Sequence, residues 1–185
     1  MNSSMFRGLL VGAAIVTAGV PAIAAQKNPT VGGAAMYANK TIVENAVASP
    51  VHTTLVAAVK AADLVPTLSG PGPFTVFAPT DAAFAKLPAG TVDTLVKPEN
   101  KATLTSILTY HVVPGKITAK DIEMKARKNR GTATYATVNG GTLSFMKMGK
   151  GWGVMDAKGN HAMITTANVM QSNGVIHVID TVLMP

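Results

Sequence analysis

Apolar residues change their spacing near the middle of the chain, and that change sets its first division. Ile42, Val43, Ala46 and Val47 recur at helical spacing, and Leu55, Val56, Val59 and Ala62 repeat the pattern in a run starting near Thr53. Leu64, Val65 and Leu68 carry it on to the Gly70-Pro71-Gly72-Pro73 break. Phe74-Thr75-Val76-Phe77-Ala78 is then a short run of β-formers bounded by Pro73 and Pro79, which predicts a buried strand. Thr80 is placed to cap a following helix, Asp81 complements its positive end, and Phe84 and Leu87 face inward. A further helix is expected from about Pro98, with Leu104, Ile107 and Leu108 on its core side. It leads into Tyr110-His111-Val112-Val113-Pro114-Gly115, read as a strand ended by a turn.

From Thr132 onward the pattern is mostly β. Asn139-Gly140 divides Thr132 to Val138 from Thr142 to Met148, a strong hairpin signal. Lys158-Gly159-Asn160 makes another turn, His161 to Val169 a further strand, and Asn173-Gly174 introduces a β-rich run from Val175 to Leu183. Helices first and strands later, without regular βαβ alternation, predict an α+β fold with antiparallel sheets. Phe74, Phe77, Phe84, Val112, Val178 and Ile179 are the expected core.

The N-terminal segment has a different character. Arg7 precedes an apolar stretch of about 12 residues, Leu9 to Val20, the length of a signal-peptide core and short of the roughly 20 residues a membrane span needs. Pro21 and the small-x-small triplet Ala22-Ile23-Ala24 follow, so cleavage is expected near Ala24/Ala25 and the mature protein is placed in the periplasm or outside the cell. Residues 1–24 are thus read as a signal peptide, 25–38 as a flexible leader rich in small and polar residues, and 39–185 as one domain. The mature protein is expected to be soluble.

Three blocks resemble the fasciclin domain family. Gly72 to Phe84, which reads Gly-Pro-Phe-Thr-Val-Phe-Ala-Pro-Thr-Asp-Ala-Ala-Phe, is similar to the family's first signature. Tyr110 to Gly115 resembles its central tyrosine-histidine segment, and Asn173 to Pro185 its closing signature. Their order and spacing also agree, over about residues 39–185. The resemblance implies a compact wedge, or sandwich, of antiparallel strands with N-terminal helices packed around it. It also implies a secreted or surface-displayed protein that adheres to cells, matrix or polysaccharide.

The same resemblance marks Tyr110, His111, Asn168 and Val169 as candidate binding positions, with one departure. Relatives that engage integrins carry an aspartate-isoleucine pair where this chain has Asn168-Val169, so a carboxylate-metal contact is not expected here. Tyr110 and His111 also read as structural, because a histidine in an apolar strand is usually a satisfied core residue. His177, between Ile176 and Val178, is read the same way.

Charge adds a second candidate surface. The chain has a net charge of +7 and concentrates Lys116, Lys120, Lys125, Arg127, Lys128 and Arg130 in one stretch, offset by Asp121 and Glu123. Lys125, Arg127, Lys128 and Arg130 are its candidate contacts for an anionic polysaccharide, or peripherally for lipid phosphates; a solvated loop without aromatic stacking partners is the plainer reading. Nucleic acid is not expected of an exported chain. A cell-surface or matrix protein is the other expected class of partner, and the sequence leaves oligomeric state open.

Catalytic and cofactor chemistry has little support. There is no cysteine, hence no thiol nucleophile, thiolate metal site or disulfide, and no Gly-x-Ser-x-Gly elbow. His52, His111, His161 and His177 lack zinc-site spacing, so no metal or cofactor is expected, and an enzyme is the least favoured class. The alternative to adhesion is carriage of a hydrophobic ligand such as a carotenoid, which some fasciclin-like proteins bind. Its candidate groove is Met146, Met148, Trp152 and Met155, against ordinary core packing of the same residues.

Overall fold

Capping side chains decide where the early helices begin. In the computed structural model, which describes residues 28–185, helix α1 (Ile42–Ala48) opens with a capping box. The Thr41 hydroxyl accepts from the Glu44 N–H, and the Glu44 carboxylate accepts from the Thr41 N–H. Helix α2 (Thr53–Ala61) has no side-chain cap of its own at His52. Asp81 supplies one from a distance, accepting from the Thr54 N–H at 2.8 Å and the Thr53 hydroxyl at 2.7 Å. Helix α3 (Val65–Ser69) ends before the Gly-Pro break and strand β1 (Phe74–Pro79). Thr80 caps α4 (Asp81–Ala85) through the Ala83 N–H, as its position in the sequence predicts.

Helix α5 (Thr91–Leu95) and a 3-10 turn at Pro98–Asn100 lead into α6 (Lys101–Tyr110) and the short strand β2 (Val112–Pro114). Helix α7 (Ala119–Lys128) precedes β3 (Thr132–Ala136), β4 (Thr142–Met148), β5 (Gly151–Met155), β6 (His161–Gln171) and β7 (Gly174–Ile179). The seven strands form one sheet in the order β2-β1-β7-β6-β5-β4-β3. Its ends meet where the Val138 N–H donates to the Val112 carbonyl at 2.8 Å, so the sheet curls into a near-barrel.

Strands β3 to β7 pair antiparallel with their neighbours, and β2 antiparallel with β1, but β1 and β7 run parallel from Phe74 opposite Gly174 to Pro79 opposite Ile179. This corrects the wholly antiparallel expectation. Apart from Thr75 and His177 both strands are apolar and almost every position is buried, the pattern of strands covered on both faces. Their entry is tight. A Cβ on Gly174 would lie 1.9 Å from the Phe74 carbonyl oxygen, and one on Gly72 would lie 2.1 Å from the Asn173 oxygen, so neither position accepts a side chain without backbone movement.

Two apolar clusters flank the strands. One joins α1, α2, α3, α4 and α6 to Val76, Ala78, Ile176 and Val178. The other fills the near-barrel with Phe77, Tyr110, Ile122, Leu143, Phe145, Val154 and Ile179. The expected core residues fall in these clusters, with Phe74 only partly buried at the edge of the first.

Three local expectations differ. Residues 28–38 are pinned at points rather than a free leader: Val31 and Met36 are buried, and the Asn28 amide both donates to and accepts from the Met170 backbone, while most of the residues between are exposed. Tyr110 ends α6 and His111 caps it, so the strand there begins only at Val112. The basic stretch is largely helix, α7, started by a Thr118–Asp121 capping box. The expected signal peptide and cleavage site lie outside the described residues.

Candidate functional site

Tyr110 and His111 are brought inside by the end of α6. The Tyr110 hydroxyl donates to the Thr142 carbonyl at 2.8 Å and accepts from the Ala157 N–H at 2.9 Å, tying α6 to the β3–β4 and β5–β6 turns. His111 is buried with both ring nitrogens engaged. Its Nδ1 lies 2.8 Å from the Ile107 carbonyl, and its Nε2 accepts from the Leu183 N–H at 3.0 Å. These partners fix a neutral ring protonated at Nδ1. Burial accordingly lowers the His111 pKa to about 4. Neither side chain reaches the outer surface, which corrects their candidacy as contacts for a macromolecular partner, although His111 lies in the wall of an apolar cavity at the end of α6.

His177 has the opposite tautomer. Its Nε2 faces the Ile117 carbonyl at 2.8 Å, its Nδ1 accepts from the Asn168 N–H at 3.4 Å, and burial lowers its pKa too. Its ring stacks on Phe77 with centroids 5.4 Å apart. His52 is likewise held toward the neutral form by burial. Its Nδ1 pairs with the Ser49 hydroxyl at 2.8 Å, its Nε2 is buried without a hydrogen-bond partner, and the Ala78 backbone offsets part of the effect of burial on the ring.

Asn168 sits at an irregularity of β6, with φ of 59°, a left-handed conformation that asparagine tolerates better than most residues. Its side-chain oxygen accepts from the Ala119 N–H at 2.8 Å and so holds the start of α7. Val169 is fully buried beside Ile176. The pair is structural here, and Val169 is not a contact residue.

Helix α7 divides the basic candidates. Ile122 and Ala126 face the core, and Lys125 lies 3.9 Å over the Tyr135 ring while donating to the Thr134 carbonyl. Arg127 pairs with Glu123 one turn earlier. Lys116, Lys120, Lys128 and Arg130 are exposed and make no ion pair among the described residues. The aromatic partner missing from the basic stretch itself thus comes from β3.

Strand register separates the proposed methionine groove. Trp152 pairs with Lys147 and packs toward the near-barrel core beside Phe145 and Val154, whereas Met146, Met148 and Met155 alternate onto the outer face. The four residues do not line one groove, because the sheet lies between them.

An apolar cavity of about 220 Å³ is found elsewhere, bounded by α1, α2, α3, β1 and the end of α6. Val43, Val47, Leu55, Val59, Leu68 and Leu108 form much of its wall, with Lys60 at its rim. Sequence reasoning missed it. Its signal is α1, where Val43 and Val47 extend the apolar surface beyond the side that Ile42 buries. Among the described residues no group of three or more His, Cys, Asp or Glu converges to hold a metal ion.

This arrangement of helices on a curled sheet with a parallel β1–β7 core has known counterparts. A family model described as the fasciclin domain matches residues 50–185, and the chain belongs to that family. It is 52% identical over 161 residues to the Synechocystis protein sll1483, covering 86% of this chain and 82% of that one. It is 38% identical to the cell surface glycolipoprotein MPB83 of Mycobacterium bovis, covering 87% of this chain and 68% of the relative. The fold also matches a solved FAS1 domain pair from the insect cell adhesion molecule fasciclin I, with a TM-score of 0.69 and 21% identity. That match covers 79% of this chain and 51% of the other.

Proposed function

We propose that this protein is a non-catalytic, extracytoplasmic module of adhesion type, whose contact surface is the basic ridge around α7. The observation that carries this reading is the division of charges there. Lys116, Lys120, Lys128 and Arg130 are exposed without ion-pair partners among the described residues, while Asn168 and Val169 are committed to the fold. A cell-surface mycobacterial relative and an adhesion-molecule fold support the extracellular setting. The ridge suits an anionic polysaccharide, and because single exposed contacts contribute about 0–1 kcal/mol, several must act together. Retention on an immobilised anionic polysaccharide should fall steeply between about 0.1 and 1 M salt. A Lys116, Lys120, Lys128 and Arg130 quadruple alanine variant should lose that retention. A Lys125, Arg127 double alanine variant, removing charges already engaged within the protein, should lose less. Equal retention by all three proteins would refute this reading.

The cavity favours a second reading, carriage of a hydrophobic ligand. An apolar cavity of about 150 Å³ takes benzene, so the 220 Å³ space here admits a somewhat larger apolar group or the end of a longer chain. A whole carotenoid exceeds it, and only one end of such a molecule would be enclosed. Protein from its native source should then absorb visible light, and Ala46→Leu, which fills the cavity wall, should abolish the absorbance; colourless protein rules out pigment.

A further inference from the structure

The outer face of β4, β5 and β6 carries sulfur that neither hydrophobic core uses. Strand pairing puts Met146 and Met163 on either side of Gly153 and Met148 opposite Gly151, and the next row runs Ser144, Met155, His161. Leu143, Phe145, Val154 and Ala162 point to the other face, so alternation leaves the four methionines together on the outside. Each is partly exposed, and none belongs to either core cluster.

The middle strand contributes glycine at the two positions the methionines surround. A Cβ on Gly153 would lie 2.0 Å from Met148 Sδ, so that sulfur rests directly on the Gly153 backbone. A Cβ on Gly151 would lie 3.3 Å from Met163 Cε. The Met148 and Met163 side chains therefore reach across β5 from opposite sides. Met146, on the same strand as Met148, lies directly opposite Gly153, and with strands about 4.8 Å apart it too is within a methionine side chain's reach of the space over that glycine.

Three thioether side chains thus border the bare backbone of Gly151 and Gly153, and together they offer a soft, polarizable donor set. Thioether sulfur selects Cu(I) over the harder divalent ions, which prefer imidazole, carboxylate or water. We propose that Met146, Met148 and Met163 form a site for a soft monovalent cation, Cu(I), with the exposed His161 one row away as the fourth ligand. A merely apolar face would work equally well with leucine in place of methionine, and that difference is the basis of the test.

The full chain is titrated with Cu(I) anaerobically, with ascorbate as reductant and bicinchoninate as competing chromogenic chelator. The wild type should withdraw one Cu(I) per chain, and X-ray absorption should place sulfur in the first coordination shell. The Met146→Leu, Met148→Leu, Met163→Leu triple variant conserves volume and apolarity, so it should melt as the wild type does while losing the metal. If the triple variant unfolds, Met148→Leu alone should weaken binding by at least the about 10- to 100-fold typical of losing an outer-shell partner. His161→Ala should weaken it less. Failure of the wild type to compete with the chelator, or undiminished binding by a folded leucine variant, would overturn the proposal.

Discussion

The two apolar clusters on either side of β1 and β7 are built to different tolerances. In the near-barrel, Phe145 contacts Phe77 and Tyr135 with centroids 5.0 and 5.7 Å apart, and the polar atoms of Tyr110, His111 and His177 are all paired. On the helix side, small and β-branched side chains from short helices leave a cavity of about 220 Å³. Close packing with fixed polar partners specifies one arrangement; short helices around a void leave room for another. The barrel side therefore holds the fold, and the helix side is where a ligand or a substitution is accommodated.

The largest expected effect tests that contrast directly. Phe145→Ala, in the fully buried barrel, should cost about 3–5 kcal/mol in denaturant unfolding. Ala46→Leu, facing the helix-side cavity, should be neutral or slightly stabilising, because it fills space instead of making it. Equal losses from the two substitutions would erase the distinction.

Acid provides a second, smaller probe of the barrel side. The His111 pKa is lowered to about 4 in the folded state against an ordinary 6.5, so between those values the unfolded chain binds more protons. Its contribution to stability is complete above about pH 6.5 and is lost as pH falls toward 4, by about 3 kcal/mol for a shift of this size. His177 and His52, also lowered by burial, act in the same direction. Asp81, Asp156 and Asp180, held low by backbone and side-chain donors despite partial burial, add losses only below the ordinary carboxylate range. Melting temperature against pH should thus fall in two stages, and a His111→Gln variant should show a shallower first stage.

The smallest effect concerns one staple. Tyr110→Phe keeps the ring in place but leaves the Thr142 carbonyl and the Ala157 N–H without their shared partner, at a cost of about 1–3 kcal/mol. The loss should show as faster amide exchange at the β3–β4 and β5–β6 turns as well as in the global melt.

Elements whose residues carry their own signal were legible in the sequence. The periods of α1, α2 and α6, the Thr80 cap and the β-rich C-terminal half all appear where the pattern puts them. Helix α7 was obscured by its charges, although Thr118-x-x-Asp121 ahead of Ile122 and Ala126 is a readable capping signature. The parallel pairing of β1 and β7 was not legible, since two apolar runs about a hundred residues apart do not state which edge they share. The family segments were recognisable by their residues, yet Tyr110, His111 and Val169 proved to be buried, because similarity of sequence marks what a fold needs as readily as what a partner touches. The separation of Trp152 from the methionines follows from strand alternation once the β4–β5 register is known.

The central place of β7 bears on how the chain folds. The last of the seven strands is inserted between β1 and β6, so until it arrives the β1–β2 pair and the β3–β6 meander share no backbone ladder. Shorter links such as Val112–Val138 and Tyr110–Thr142 can form early, but the β1–β7 ladder that unites the halves spans roughly a hundred residues, and closing so long a loop is what makes such topologies slow. A chain cut before Gly174 would lack the β1–β7 and β6–β7 ladders and the core residues that β7 contributes to both clusters. The rate of folding should accordingly respond far more to changes at the β1–β7 seam than to changes in the hairpins on either side.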